Sequence, residues 1–298
     1  MNLNETRKGE LLIFSKSLIT GLFPVITVFS LYLLPSFTAL FSSTAIAAIF
    51  FAFILLLKNK FKEIFSKQVF YYSLVVTLTI SVGYYGFYFL GLKHTSAGNA
   101  SIISLMETFF TFLLFNIWKK EFFSKPYLLG ALLMIFGATL VLFPKATGLN
   151  IGDILILCSA AMAPVGNDFQ QRLRSIVSAE TILFLRCALS LPFLAILIFV
   201  FKETSNLNAI QKSLPFLLLN GVLVLGFSKI LWIEAIHRIS VTKASALNSL
   251  NPFITLIFSF LILKQTPTFW QIAALAPIFI GVLLLTSKKL ALPTLGPD

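Results

Sequence analysis

The chain has 298 residues, of which 58% are hydrophobic and only 11% are charged. A soluble globular domain has about 25% charged residues, so this composition excludes a water-soluble fold and predicts a chain surrounded mostly by lipid. The net charge of +12 does not indicate nucleic-acid binding, because the basic residues separate apolar segments, as in membrane loops, instead of gathering on one face.

Ten apolar segments follow one another, each close to the roughly 20 residues that a membrane-spanning helix needs. The first begins at Leu11 and has no small-residue cleavage site behind it, so we expect a retained span rather than a secretory signal. No long polar loop separates the segments, which places the function inside a helix bundle. The predicted spans are approximately 11–33, 37–57, 69–91, 96–118, 127–143, 151–170, 180–201, 213–235, 240–263 and 268–286.

The distribution of lysine and arginine predicts the orientation of these spans. If the N-terminus is cytoplasmic, the inside segments hold 15 of the 23 basic residues and the outside segments hold 5. Because cytoplasmic loops carry the excess of Lys and Arg, both termini are predicted to face the cytoplasm. With no targeting peptide visible, the bacterial inner membrane is the expected location.

The sequence predicts no cofactor and no metal. Cys158 and Cys187 both fall inside apolar segments, without the spacing of a metal site. The sequence has no Walker A loop, dinucleotide fingerprint or nucleophile elbow. An ATP-driven pump is therefore excluded for this chain on its own.

The two halves of the chain align with each other. With a shift of 144 residues, TSAGNASIISLMETFFTFLLF (95–115) lies over ISVTKASALNSLNPFITLIFS (239–259), and a shift of 143 pairs KGELLIF (8–14) with IGDILIL (151–157). Five spans per half is an odd number, so the second half must enter the membrane from the opposite side. The predicted fold is an all-α integral membrane protein with ten transmembrane helices as a 5+5 inverted-topology repeat. Secondary transporters often have this plan, with a substrate site near the bilayer midplane.

The openings of the fourth and ninth spans, LKHTSAGNASII and IHRISVTKASAL, resemble the EamA branch of the drug/metabolite transporter superfamily, as does LRCALSLPFL in the seventh. The resemblance covers essentially the whole chain. It implies two EamA-like repeats, residues 1–144 with helices 1–5 and residues 150–289 with helices 6–10. It also implies a membrane transporter, often an exporter, of amino acids, nucleotide-like metabolites or other small organic solutes.

Glu107 lies at the centre of the fourth predicted span, where an ionised carboxylate is costly unless it is paired, hydrated or protonated. Its helical face carries further polar side chains, and the repeat places a matching polar stripe in the ninth span. Hydrogen bonds between helices explain the hydroxyls and amides but not a central carboxylate, so the stripes are predicted to line a central polar cavity. Glu107 is also a candidate for proton coupling. The two stripes are Ser101, Ser104, Glu107 and Thr111, and Ser245, Asn248, Asn251 and Thr255.

Pro252 follows Asn251 and removes one backbone hydrogen bond from the ninth span, which leaves the carbonyl of Asn248 without its helical donor. Two readings stay open at this point. A water-filled or solute-filled cavity uses this acceptor, or a neighbouring Ser or Asn satisfies a simple kink.

Lys229 lies deep in the eighth span, and its helical face includes Trp232. The repeat places Lys229 over Tyr85, so these aromatic rings are predicted to wall a pocket and to stack on a flat or cationic solute. Glu107 and Lys229 are a natural pair of opposite charges. They either bind the ammonium and carboxylate of a solute or neutralise each other in the empty protein. The predicted substrate-binding residues are Glu107, Lys229, Asn248, Asn251, Tyr85, Trp232 and Ser104.

The remaining charges near the membrane have simpler interpretations. Arg186 is about two turns into the seventh span and is interpreted as a gating or structural residue. Lys16 is similarly shallow and is expected to reach the surface along its aliphatic stem. Surface ion pairs at i,i+4 spacing are expected for Asp168–Arg172 and Glu234–Arg238.

The sequence thus predicts a secondary transporter that moves a small polar organic solute across the inner membrane by alternating access, with export as the expected direction. An amino acid or related zwitterionic metabolite is the expected solute, and a cationic or aromatic drug is the alternative. A lipid-modifying membrane enzyme is the alternative from another class, and a channel is a third. The expected partners are a small-molecule substrate, the lipid bilayer and protons, with no nucleic acid; the oligomeric state is unknown.

Overall fold

The computed structural model of the protein describes residues 3–119, 125–142, 150–240, 243–244 and 247–286. Within these ranges the chain is helical and has no β-strand, as expected where lipid leaves backbone groups no other hydrogen-bond partners. The helices are α1 (Leu3–Thr20), α2 (Phe23–Leu33), α3 (Ser36–Leu57), α4 (Lys67–Leu92), α5 (Ala97–Ile103), α6 (Met106–Lys119), α7 (Lys125–Leu142), α8 (Ile151–Arg174), α9 (Ala179–Val200), α10 (Leu207–Arg238), α11 (Asn251–Leu263) and α12 (Phe269–Thr286).

Among the described residues, six helical stretches are long and apolar enough to cross a membrane, judged by length and composition. Three shorter apolar helices accompany them. The chain is therefore a multi-pass membrane protein. The six stretches are Glu5–Leu33, Ser36–Leu57, Lys67–Leu92, Ala97–Leu114, Ala179–Val200 and Leu207–Arg238, and the shorter helices are Leu128–Leu142, Asn248–Leu263 and Phe269–Leu285.

The predicted spans coincide with helices, although the first differs from the prediction at its start. Helix α1 begins at Leu3 rather than at Leu11, and a turn at Gly21 and Leu22 separates it from α2. Pro24 explains the turn, because a proline lacks the N–H that would donate to the residue four positions earlier. The end of the fifth predicted span, at residue 143, and residues 241–242 and 245–246 of the ninth lie outside the described residues.

Both repeats interrupt the helix that carries the polar stripe. In the first repeat, α5 ends at Ile103 and α6 begins at Met106. In the second, a 3₁₀ turn over Asn248–Leu250 precedes α11. The two interruptions lie at corresponding positions of the alignment.

Two π-helical segments also occur at corresponding positions. Thr77–Tyr84 lies within α4 and Leu219–Phe227 lies within α10. A π-helical segment is less stable than an α-helix and is frequently found at functional sites. Each one here directly precedes the residues that wall the cavity described below, Tyr85 in α4 and Lys229 in α10.

Helices of one repeat pack mainly against helices of the other. The pairs are α3 with α9, α7 with α12, α1 with α10, and α4 with α8. Glycines allow two of these contacts to be very close. A Cβ atom on Gly152 would lie 2.7 Å from the Gly91 carbonyl oxygen, and one on Gly281 would lie 2.6 Å from the Gly130 carbonyl oxygen.

Two carboxylates cap helices of the opposite repeat. Glu203 accepts hydrogen bonds from the backbone N–H groups of Phe37 and Thr38, at 3.0 and 2.7 Å, at the start of α3. Glu63 accepts from the backbone N–H of Ser178 at 2.9 Å and from the Thr181 hydroxyl at 2.6 Å, at the start of α9. Each acidic residue follows the second long helix of its own repeat and caps the second long helix of the other.

Candidate functional site

A cavity lies between the two repeats at the level of the helix interruptions. The space open to the centre of a water molecule is about 90 Å³, and one water needs roughly 10–15 Å³ on this measure. The cavity can therefore hold several waters or one small organic molecule. Its lining residues are Lys16, Thr20, Phe23, Pro24, Ile80, Tyr84, Tyr85, Tyr88, Ser101, Ser104, Leu105, Glu107, Ala163, Asn167, Gln170, Arg186, Lys229, Trp232, Asn248, Asn251 and Thr255.

All of the predicted substrate-binding residues line this one cavity, and so does Arg186. Both polar stripes reach it, the first through Ser101, Ser104 and Glu107 and the second through Asn248, Asn251 and Thr255. Thr111 is buried outside the lining, and Ser245 lies outside the described residues. The structure brings the residues together, and their role in binding a solute stays a prediction.

Glu107 is held by an amide network rather than by an ion pair. The Asn167 Nδ2 donates to Glu107 Oε1 at 2.8 Å. The Asn167 Oδ1 in turn accepts from Trp232 Nε1 at 3.1 Å and from Gln170 Nε2 at 3.1 Å. Because an indole N–H is only a donor, the orientation of the Asn167 amide is settled, and it must donate to the carboxylate.

Lys16 corrects the prediction that this side chain reaches the surface. It is 4% exposed and lines the cavity. Its Nζ donates to Asn248 Oδ1 at 2.6 Å and lies 4.8 Å from the centre of the Trp232 ring. The reason is the earlier start of α1: at 1.5 Å per residue, Lys16 is about 20 Å from the start of its helix at Leu3.

The amides of the ninth predicted span form a second network with the first repeat. Asn251 Nδ2 donates to Asn248 Oδ1 at 2.8 Å and to Thr20 Oγ1 at 3.0 Å. The Asn248 carbonyl, which Pro252 was expected to leave without a donor, accepts from the backbone N–H of Asn251 in the 3₁₀ turn. The kink is thus satisfied locally, and the side-chain amides supply the polar groups of the cavity.

Lys229 and Arg186 lie near the same aromatic ring. The Lys229 Nζ is 5.6 Å and the Arg186 Cζ is 5.8 Å from the centre of the Tyr85 ring, which is within the range of a cation–π contact. Arg186 is only 2% exposed, so it does not behave as a surface arginine. Among the described residues, neither cation has a carboxylate within 4 Å, so Lys229 and Glu107, for which mutual neutralisation was one of the two readings, do not form a direct pair.

Aromatic rings form the remaining wall. Tyr84 and Tyr88 stack with ring centres 5.9 Å apart, and Tyr88 stacks on Phe23 at 4.9 Å. Tyr85 meets Tyr84 edge to face at 5.0 Å. The result is a continuous set of ring contacts along the cavity lining.

Ion pairs gather at one end of the bundle. We call this the N-terminal end; it holds the start of α1 and the segments at 58–66, 175–178 and 239–240. Arg238 contacts Glu5 at 3.2 Å and Glu234 at 2.6 Å, and Lys243 contacts Glu10 at 2.5 Å. The two predicted i,i+4 pairs, Asp168–Arg172 and Glu234–Arg238, are both confirmed.

Sequence reasoning missed several lining residues. Asn167, Gln170 and Thr20 occur in helices where the cavity-facing side cannot be read from polar spacing alone. One signal was available for Asn167: an amide amid Ala, Pro and Gly in an otherwise apolar segment is costly without a partner. Tyr84 lies in a π-helical segment, where α-helical spacing gives the wrong face.

Comparisons with known proteins agree with this architecture. The sequence pattern of the EamA-like transporter family matches residues 7–143 and again residues 150–287. An uncharacterized transporter of Archaeoglobus fulgidus is 25% identical over 69% of this chain and 72% of its own length. Uncharacterized transporter YyaM of Bacillus subtilis is 27% identical over 68% of this chain and 69% of its own length.

A solved crystal structure of a protein aligns with 93% of this chain and 96% of its own, with a TM-score of 0.69 and 17% identity, which shows a shared fold. A multi-pass helix bundle with two matching repeats and a polar cavity between them is the architecture of a membrane transporter. The chain belongs to the EamA-like transporter family.

Proposed function

We propose that the protein is a secondary transporter that binds a small polar organic solute bearing a carboxylate, such as an amino acid or related zwitterionic metabolite, and exports it by alternating access. The observation that carries this proposal is the cavity itself. It presents Glu107 for an ammonium group, and Lys16, Arg186 and Lys229 for a carboxylate, beside an aromatic wall.

We further propose that the chain crosses the membrane ten times as a 5+5 inverted repeat. The reciprocal caps support this arrangement, because Glu63 and Glu203 follow corresponding helices and act at opposite ends of the bundle. The paired π segments and paired helix interruptions support it as well. In such transporters the two repeats rock about a site between them.

Proton coupling is part of the proposal. Glu107 is the one carboxylate among the lining residues, and its acceptance of a proton or of a solute ammonium would be mutually exclusive. The bacterial inner membrane, with the N-terminal end in the cytoplasm, is the proposed location.

Two of the alternatives receive less support from the cavity. A cationic drug would meet three basic side chains and one carboxylate, although the aromatic wall suits a flat molecule. A lipid-modifying enzyme would need paired carboxylates or histidines near an interface. Among the described residues, no three His, Cys, Asp or Glu form a metal-binding group, and the lining contains no histidine.

Counterflow in proteoliposomes tests the proposal. Vesicles are loaded with an unlabelled metabolite mixture rich in amino acids, and exchange with labelled external pools is followed by mass spectrometry. We expect saturable exchange with the wild type and its loss with Glu107→Gln, while Lys212→Gln, at an exposed position, retains exchange. Exchange of no solute by correctly inserted protein would contradict the carrier function.

A further inference from the structure

The charges that line the cavity do not balance. Lys16, Arg186 and Lys229 are basic and Glu107 is the one acidic lining residue. These charges act on one another, since Glu107 attracts both Lys16 and Lys229, while Lys229 repels Lys16 and Arg186 repels Lys229. A neutral zwitterion would leave the excess of positive charge unchanged.

Arg186 shows most clearly that the cavity lacks a hydrogen-bond acceptor for one of its cations. Its side chain is 2% exposed, and its Nε is buried without a hydrogen-bond partner. A guanidinium stays protonated in proteins and has five N–H donors. A buried charge without a carboxylate partner among the described residues is strongly unfavourable, so we read the site as built to receive an acceptor from outside the chain.

The other acidic residues that the structure describes cannot serve as that acceptor, because each is engaged elsewhere. At the N-terminal end, carboxylates bind basic residues or cap α9. At the opposite end, Asp153 accepts from Asn99 and Thr95, and Glu203 caps α3. The engaged carboxylates of the N-terminal end are Glu5, Glu10, Glu63, Asp168, Glu180 and Glu234.

The positive groups lie at two regions, each by a different aromatic ring. Arg186 and Lys229 lie by the Tyr85 ring. Lys16 lies by the Trp232 ring, where its Nζ contacts Asn248. A solute with an acidic group at each region would satisfy both, and Glu107 would accept from an ammonium or hydroxyl of the same solute.

We infer that the cavity selects a small organic anion with two acidic groups, one bound by Arg186 and Lys229 and the other by Lys16 and the neighbouring amides. This inference rests on the proposed function and narrows its substrate class from zwitterions to solutes of net negative charge. The open space of about 90 Å³ corresponds to roughly six to nine waters, which suits an acidic amino acid or a short dicarboxylate.

Counterflow with four labelled probes tests the inference: succinate, glutamate, leucine and tetraphenylphosphonium. We expect the wild type to exchange succinate or glutamate, and Arg186→Gln and Lys229→Gln to raise their KM by about tenfold or more, because hydrogen bonds to charged groups are lost. Arg186→Lys should restore part of the affinity, and Lys8→Gln, at the exposed N-terminal end, should leave KM unchanged. Exchange of leucine or tetraphenylphosphonium alone would overturn the inference while leaving a carrier function in place.

Fluorescence of Trp232 gives a second readout that needs no substrate. In the Trp118→Phe, Trp270→Phe background, Trp232 is the remaining tryptophan, and it reports on ions that enter the cavity. We expect iodide to quench it more strongly than caesium, and the preference to fall in Arg186→Gln and Lys229→Gln. Equal quenching by the two ions, or stronger quenching by caesium, would overturn the inference whether or not any probe is transported.

Discussion

At the scale of single residues, Asn167 explains how a carboxylate is held inside the bundle without a partner of opposite charge. Its amide accepts from Trp232 and Gln170 and donates to Glu107. These bonds join α8, α10 and α6, so the side chain links the second repeat to the acid of the first. The proposed role of Asn167 is to position Glu107, not to bind the solute.

Replacing Asn167 by leucine tests this positioning role. The variant leaves the Trp232 N–H and the Glu107 carboxylate without partners, which costs roughly 1–3 kcal/mol for a buried group. We expect counterflow to fall by about tenfold or more, while Asn208→Leu, at an exposed position, keeps wild-type rates. Unchanged exchange by Asn167→Leu would show that the carboxylate needs no such support.

Residue-level prediction from the sequence succeeded where two observations coincided. Glu107, Asn248 and Asn251 were placed in one cavity because both halves of the chain carry a polar stripe at the same depth. Lys16 was misjudged because its depth depends on the start of α1, and polar residues at 3–10 concealed that start. Hydropathy alone cannot find the beginning of a helix that extends beyond the membrane core.

At the scale of secondary-structure elements, the caps at α3 and α9 fasten each repeat to the other. Burial alone would raise the pKa of the Glu63 carboxyl, but hydrogen bonds from Thr181 and Ser178 outweigh it and lower the pKa below its usual value. A carboxyl with a lowered pKa contributes stability that is full above its usual pKa and is lost as the pH falls through the lowered one.

The Glu63→Gln variant should therefore lose stability in a pH-dependent way. We expect a loss of about 1 kcal/mol at neutral pH, the typical cost of a lost helix cap, measured by unfolding in detergent. The difference from wild type should be constant down to about pH 5 and shrink below the usual glutamate pKa of about 4.3. Lys62→Gln, an exposed change on the same turn, is the control. A difference that persists undiminished at pH 3 would contradict the role of the ionised cap.

The glycine contacts give a prediction with a built-in control. A methyl group on Gly152 would lie 2.7 Å from the Gly91 carbonyl oxygen and 2.7 Å from the His94 carbonyl carbon. Both are backbone atoms, which cannot move without shifting a helix. We expect Gly152→Ala to cost about 1–3 kcal/mol through overpacking. On Gly86 the nearest atom would be a Phe37 ring carbon at 3.6 Å, so Gly86→Ala should unfold like wild type. Equal stability of both variants would mean that α4 and α8 separate easily.

Prediction of helices from the sequence was accurate for long apolar segments but did not detect the irregularities within them. Ser36–Leu57 and Ala179–Val200 were found nearly to the residue, because a run of about 20 apolar residues has few other stable forms in lipid. The π segment at Thr77–Tyr84 left no signal, since it changes which residues share a face without changing their hydropathy. The interruption before Met106 likewise left no signal in the sequence, whereas Pro252 marked the corresponding interruption in the second repeat.

At the scale of the whole molecule, the two ends of the bundle are held together by different contacts. Every ion pair within 4 Å among the described residues lies at the N-terminal end. Several of these join the repeats, including Glu5–Arg238 and Glu10–Lys243. The opposite end is held by hydrogen bonds of uncharged groups and carboxylates, such as Gln271 to Asn99 at 2.7 Å. Salt should therefore weaken one end selectively.

Removing the cross-repeat pairs should open the N-terminal end. In a cysteine-free background with Thr20→Cys as a reporter inside the cavity, we expect Arg238→Gln with Lys243→Gln to speed thiol labelling from that end. Partly exposed pairs are worth up to about 1 kcal/mol, which corresponds to roughly fivefold. Lys8→Gln breaks a pair within α1 alone and serves as the control. No acceleration, with labelling equal to the control, would show that these pairs do not hold the end closed.

The central claim is that one cavity between the repeats becomes accessible from both sides of the membrane in turn. Labelling of Ser104→Cys with a membrane-impermeant thiol reagent tests it most directly, applied first outside and then inside sealed, oriented vesicles of the cysteine-free protein. The account predicts labelling of Ser104→Cys from each side. Ile262→Cys, on the exposed surface of α11, is the reference position. Labelling from one side only would mean that the cavity opens to that side alone, which would contradict transport by alternating access.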